Sequence, residues 1–141
     1  MKITTKHTDI SVKSLKIMEK FHRKISSYVF FAPKYDADSM KEKIDTIFES
    51  VQSALGMEGE MPLLHIKLYF EKEFKWLLAD NGKRRCFYLY DYKTIYVNVD
   101  DIHTGMLAHE ICHHIVDSWF GGPPPRKTAE FIATGVDRGF R

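Results

Sequence analysis

The run TIYVNVDDIHTGMLAHEICHHIVDSWFGGPPP, residues 94–125, changes its hydrophobic period from two to 3.6 within a few positions. Ile95, Val97 and Val99 alternate with Tyr96 and Asn98, the pattern of a strand with one apolar and one polar face. From Asp101 onward Ile102, Met106, Leu107, Ile111, Ile115 and Trp119 fall broadly on one side of a helix. Two glycines and three prolines then stop it. A strand running straight into a long amphipathic helix restricts the chain to architectures that pack helices on a sheet. It also sets His109, Glu110, His113 and His114 inside that helix, where imidazoles and a carboxylate need partners.

The rest of the chain fits the same class. Val12, Leu15, Met18, His22, Ile25 and Val29 recur at helical spacing, with Ser11 as a candidate N-cap. Met40, Ile44, Ile47, Phe48, Val51 and Leu55 form a second stripe, with Asp38 or Ser39 at its start and Gly56 at its end. PLLHIKLYF, residues 62–70, reads as a strand, and EKEFKWLLADNG as a short helix entering a turn at Asn81-Gly82. RCFYLYD and TIYVNVD form a hairpin-like pair joined by Tyr92 and Lys93, the second strand near a sheet edge. RKTAEFIATGVDRGF closes the chain as a helix, with Phe131, Ile132 and Val136 turned inward. The expectation is a single α+β domain, 1–141. Residues 36–141 make its core and 1–35 a helical extension, with a small sheet covered by helices on one side.

Composition sets the remaining bounds. Hydrophobic residues make up 44% and charged residues 28% of 141, ordinary globular material. A chain of this length buries about two-thirds of its unfolded surface, so it needs no metal to fold. A metal here would serve chemistry. The net charge of +2 points to no nucleic-acid partner. Cys86 and Cys112 match no CxxC pattern and read as free thiols of a reducing compartment. The first residues contain no apolar signal region, and no run approaches the ~20 apolar residues that cross a bilayer. These features suggest a cytoplasmic protein without membrane partners. They leave its oligomeric state open.

His109 and His113 stand four residues apart, on one helix face, so both imidazoles can reach one ion. Glu110 lies ~100° around the helix, too far to be the obvious third ligand but placed to accept a proton from a water at the metal. Four residues compete for the third ligand. His114 points ~100° away from His113 and reads as a second-layer or surface residue. Asp117 shares the same straight helix, which cannot wrap three ligands around a tetrahedral ion, so it reads as a solvated or capping carboxylate. His103 precedes the helix. Glu130 sits about one turn into the next helix, carried back by the Gly-Gly reversal and the stiff proline link to the level of the histidines. Apolar neighbours Phe131 and Ala133 would partly desolvate it, and a metal would then be a good partner; the alternative is an exposed acid near a helix N-terminus. Asp137, on nearly the same face, either orients His109 or His113 through the free ring nitrogen or sits in solvent. Cys112 points off the ligand face and reads as core.

With these residues the chain resembles the zincin metallopeptidases, and within them the gluzincin branch, in which HExxH on one helix is followed by a glutamate ligand on the next. HEICH supplies His109, Glu110 and His113, and AEFIATGVD supplies Glu130. The segment from Phe87 to Arg138 is similar to very short bacterial zincin-like proteins, in which a comparable strand leads into the motif helix and a proline-rich link follows it. The likeness covers roughly the last 55 residues well and the first sixty poorly. The resemblance implies bound Zn2+, a peptide or protein substrate, an α+β core and hydrolysis with Glu110 as general base. The His113-to-Glu130 spacing is shorter than in large gluzincins, and no NExxSD-type signature surrounds Glu130.

On this reading a peptide would lie antiparallel along residues 94–99 if that edge is unpaired, meeting Tyr96 and Asn98. Tyr96 or Tyr92 would donate to the oxyanion, or else simply pack. Two other classes compete: a zinc-binding regulatory module with the same ligands and no turnover, and a metal-free interaction domain docking through the basic helix from Lys13 to Lys24.

Overall fold

A computed structural model describes residues 1–26, 36–78 and 86–140. The expected continuation of the first helix to Val29 and the turn at Asn81-Gly82 lie outside these residues. The described residues form an α+β fold. Strands β1 (Lys2–Thr4) and β2 (Thr8–Ser11) precede helices α1 (Leu15–Ile25) and α2 (Ala37–Leu55). Strand β3 (Leu64–Tyr69), helix α3 (Glu71–Leu78), strand β4 (Cys86–Leu89) and strand β5 (Thr94–Asn98) follow. Helices α4 (Thr104–Trp119) and α5 (Arg126–Arg138) complete the chain. The strands make one mixed sheet in the order β1-β2-β3-β5-β4, with β2, β3 and β5 parallel to their neighbours in that run and β1 and β4 antiparallel at its two ends.

The first eleven residues correct the expectation of a helical extension. They form a hairpin whose second strand, β2, lies inside the sheet with Ile10 paired to Ile66 and fully buried. Thr5 and Thr8 close its turn through their hydroxyls, 2.7 Å apart, and the Lys6 and His7 N–H groups both donate to the Asp45 carboxylate on α2. Four residues of alternation are a short signal, and the helical spacing that starts immediately after them overrides it in a sequence reading. Helix α1 therefore begins at Leu15 rather than after Ser11, and it buries Ile17, Met18, Phe21, His22 and Ile25.

Helix α2 follows its predicted stripe, burying Met40, Ile44, Ile47, Phe48 and Val51 and ending at Gly56. Its N-cap is Asp36, whose carboxylate accepts from the Asp38 N–H and the Ser39 hydroxyl. The core gathers Ile10, Ile66, Leu68, Ile95 and Val97 from one sheet face with Phe21, Phe48, Leu107 and Ile111 from the helices.

Two further expectations are corrected. Strand β5 is not an edge strand, since β3 and β4 pair with both of its sides; the edge belongs to β4. Both faces of β5 are covered, and Thr94 and Asn98 are buried although they point away from the core. The helices are also not all on one side. Phe74 of α3 lies outside the main core and packs against Phe87, with ring centres 6.0 Å apart, on the opposite sheet face. Among the described residues no helix is long and apolar enough to cross a membrane.

Candidate metal centre

Helix α4 is fixed at both ends. His103 is its N-cap, its Nδ1 accepting from the Met106 N–H at 3.3 Å. At the other end Gly121 takes φ 72°, its N–H donates to the Ser118 carbonyl, and the Gly122 N–H donates to the Asp117 carbonyl at 2.8 Å. This paired closure needs a left-handed residue, which glycine adopts without a Cβ clash. The chain then turns through the prolines and starts α5 at Arg126. The side of α5 that packs inward is Ala129, Ala133 and Asp137, so two methyl groups bring the helices close. Phe131, expected inward, is 81% exposed because this small-residue stripe holds the interface.

The close approach brings Glu130 back to the motif. Its Oε1 lies 3.0 Å from His113 Nε2 and its Oε2 lies 3.3 Å from His109 Nε2. The two imidazoles stand 5.0 Å apart, tilted by 67°. One donor atom from each of the three residues falls within 4.8 Å of the others. A tetrahedral zinc with bonds of about 2.0–2.1 Å separates its ligand atoms by about 3.3 Å, so this donor set fits the ion in both size and chemistry. The histidine side chains are 19% and 14% exposed, and that of Glu130 is 52% exposed. The expected desolvation of Glu130 is thus corrected: its carboxylate forms the solvent-facing side of the cluster.

Glu110 lies on the same turn of α4, the helix that packs against β4. Burial, with the Glu130 carboxylate second, pushes its pKa up to about 8. Burial lowers His113, reinforced by His109 and opposed by Glu130. A cation among these groups reverses that balance and favours ionised Glu110.

Asp137 is buried, which removes the solvent-exposed alternative. A Cβ built on Gly105 would lie 2.3 Å from its Oδ1 and 3.1 Å from His103 Cε1. Gly105 is one turn before His109 on the same face, so the carboxylate occupies space that any side chain at 105 would take. Gly105→Ala is therefore expected to lower stability on the order of 1 kcal/mol: overpacking of about 1–3 kcal/mol outweighs the gain of at most about 1 kcal/mol in helix propensity. Urea denaturation of the metal-free protein reads this directly, and an unchanged or raised midpoint refutes it.

Tyr96 and Asn98, expected to meet substrate, are corrected. Tyr96 stacks on Phe87 at 4.9 Å, and Phe87 is the neighbour of Tyr88, whose hydroxyl instead reaches His114 on α4. Tyr96 therefore faces away from α4. Asn98 shares its side of the strand, is buried, and accepts from the Asp100 N–H within the turn. Tyr92 is exposed on the connection between β4 and β5.

Two residues on α4 differ from expectation. His114 is fully buried; its Nε2 lies 2.8 Å from the Pro62 carbonyl and its Nδ1 lies 2.8 Å from the Tyr88 hydroxyl. A carbonyl only accepts, so Nε2 carries the proton and the tyrosine donates to Nδ1. Burial lowers the His114 pKa to about 4, so it is neutral. Asp117, read as solvated, is buried with Oδ1 lacking a hydrogen-bond partner, and burial raises its pKa to about 6. Its signal was weak: α4 is covered by α5, α2 and β4 on most of its circumference, which a single stripe of apolar residues does not announce. A folded pKa above the unfolded one contributes stability that is present below about pH 4 and lost as pH rises through about 6. Asp117→Asn is expected to remove this loss, gaining on the order of 1–3 kcal/mol over wild type at pH 7.5 and little at pH 4. Parallel urea midpoints at the two pH values test it; an equal difference at both refutes the assignment.

Comparison with protein-family models, curated proteins and solved structures gives no match for this chain.

Proposed function

We propose that the chain is a zinc-dependent, zincin-like peptidase of the gluzincin type, hydrolysing peptide bonds in peptide or protein substrates. The carrying observation is the convergence of His109 Nε2, His113 Nε2 and the Glu130 carboxylate, with Glu110 on the same turn of α4. His109, His113 and Glu130 would hold the zinc ion, which would supply a Lewis acid for the scissile carbonyl and for water. Glu110 would take a proton from the attacking water and pass it to the leaving amine. Its partial burial beside the half-exposed Glu130 suits a base that must both accept and release a proton. Asp137, packed over Gly105 on the His109 face, limits the room for the ligand helix to shift. The strand beside α4 is β4, so an extended substrate would meet that edge rather than β5.

A second reading, a zinc-binding regulatory module without turnover, has one observation in its favour. Tyr96 faces away and the Tyr88 hydroxyl is committed to His114, so neither donates to an oxyanion. Zinc titration followed by cleavage assays on a broad peptide library separates the two. One equivalent of zinc with cleavage supports the peptidase; one equivalent without cleavage favours the module; no bound zinc sinks both.

A further inference from the structure

We propose that the crevice at the carboxyl ends of β2 and β3 binds a small anion bearing a phosphoryl group. The two strands are adjacent and parallel, yet the chain leaves them toward opposite faces of the sheet. After β2 it enters α1, whose Phe21 packs in the core with Ile10 and Ile66. After β3 it enters α3, whose Phe74 meets Phe87 on the other face. Connections that part in this way leave a gap beyond the strand ends, the place where open sheets of parallel strands take up ligands. Here the gap is a cavity of about 280 Å³, and Lys2, Ser11, Lys13, Lys67 and Tyr69 supply its polar lining. The pairing register gathers these groups. Lys2 and Lys67 are the cross-strand partners of Ser11 on its two sides, so the three stand in one row, on the face turned away from Ile10 and Ile66. Neighbouring strands lie about 4.8 Å apart, so two ammonium groups flanking one serine repel each other, and an anion between them removes that repulsion. Lys13 and Tyr69 follow Ser11 and Lys67 by two residues and bring a third cation and a second hydroxyl. Asp9 lies 3.7 Å from the Lys2 ammonium, and Glu73 bonds that of Lys13. Both lysine side chains are 70% exposed, where an ion pair contributes little, so either is free to turn to another anion. Lys67 has no carboxylate partner among the described residues; its ammonium lies 5.8 Å from the centre of the Tyr96 ring. Three cations against two carboxylates leave the crevice positive. Donors converging from several directions suit the three free oxygens of a phosphoryl group better than the planar pair of a carboxylate. The volume lies just under the roughly 300 Å³ at which ligand pockets begin, so the fitting ligand is a compact phosphomonoester or phosphate itself. In the sheet order β4, which packs against α4, lies at the opposite end from β1 and β2, so the crevice stands apart from the His109–His113–Glu130 cluster and does not depend on the hydrolytic reading.

The test titrates the full chain, at fixed ionic strength, with inorganic phosphate and separately with glycerol 3-phosphate, and follows backbone amide shifts by NMR. Saturable shifts are expected at Ser11, Lys13, Lys67 and Tyr69. Lys67→Gln and Lys13→Gln, the second outside the strands, are each expected to weaken binding at least about fivefold. Lys41→Gln removes the same charge from α2, on the core side of the sheet, and is expected to leave affinity within about twofold. Tighter binding of glycerol 3-phosphate assigns the crevice to an ester, and equal affinity assigns it to phosphate itself. Shifts that rise without saturating, wild-type affinity in both crevice variants, or an equal loss in Lys41→Gln overturns the site, because the lysines then act only as part of the general positive charge.

Discussion

Glu110→Gln is expected to retain one zinc per chain while losing about 10²–10⁴ in kcat, the range that removal of a general base produces. The glutamine keeps the length and shape of the side chain but is neutral at every pH of interest. His109, His113 and Glu130 keep their donors, so the metal should stay. What disappears is the capacity to take a proton. A zinc-loaded variant with wild-type turnover would remove Glu110 from the mechanism. The same substitution has a second readout that needs no substrate. In the zinc-free protein the Glu110 pKa stands near 8, above its unfolded value, so its contribution to stability is present in acid and lost as pH rises through about 8. The neutral glutamine lacks this loss. Zinc-free Glu110→Gln should therefore gain in stability over wild type between pH 6 and pH 9, and added zinc should shrink the difference by favouring the ionised carboxylate.

The cluster of His109, His113 and Glu130 was legible because its residues obey strong local rules. A four-residue spacing on a helix puts His109 and His113 together whatever the remainder of the fold does. Glu130 could be placed because Gly121 permits a tight reversal and the prolines fix the length of the return. The reason first offered for it, desolvation by Phe131 and Ala133, does not hold, since Glu130 is half exposed and Phe131 faces solvent. Other features depend on strand order, which periodicity does not encode. Strand β5 shows the same alternation whether it lies at an edge or between two neighbours, so the covering of both its sides, and with it the fate of Tyr96 and Asn98, was hidden. The role of His114 was hidden for a related reason. Its partners, Pro62 and Tyr88, lie 52 and 26 residues away, and only the pairing of β4 with β5 brings Tyr88 to it. Gly105 was hidden too: it stands in the first turn of α4, where a glycine costs a helix less than in its interior, so nothing in the sequence shows that Asp137 fills the space beside it.

Glu130→Ala is expected to weaken zinc binding by more than the 10–100-fold typical of losing a partner outside the ligand set, while leaving the fold intact. The argument turns on how the three donors are distributed. His109 and His113 come from one helix and would approach an ion from one side. Without Glu130, two neutral imidazoles remain, and the ion loses the anionic ligand that offsets its charge. The loss to the metal-free protein should be small, within about 1 kcal/mol, because a half-exposed carboxylate beside two histidines is well screened. Removing it also relieves Glu110, whose carboxyl it helps to push up, so zinc-free Glu130→Ala should show a lower Glu110 pKa than wild type. Zinc affinity measured by competition with a chromophoric chelator, alongside a urea melt of the metal-free chain, separates the two effects. A variant that binds zinc as wild type does would make Glu130 an ordinary surface acid, and the third ligand would have to come from another residue. A variant that loses zinc, keeps its urea midpoint and shifts the Glu110 titration downward would assign the carboxylate both to the metal and to the tuning of the base.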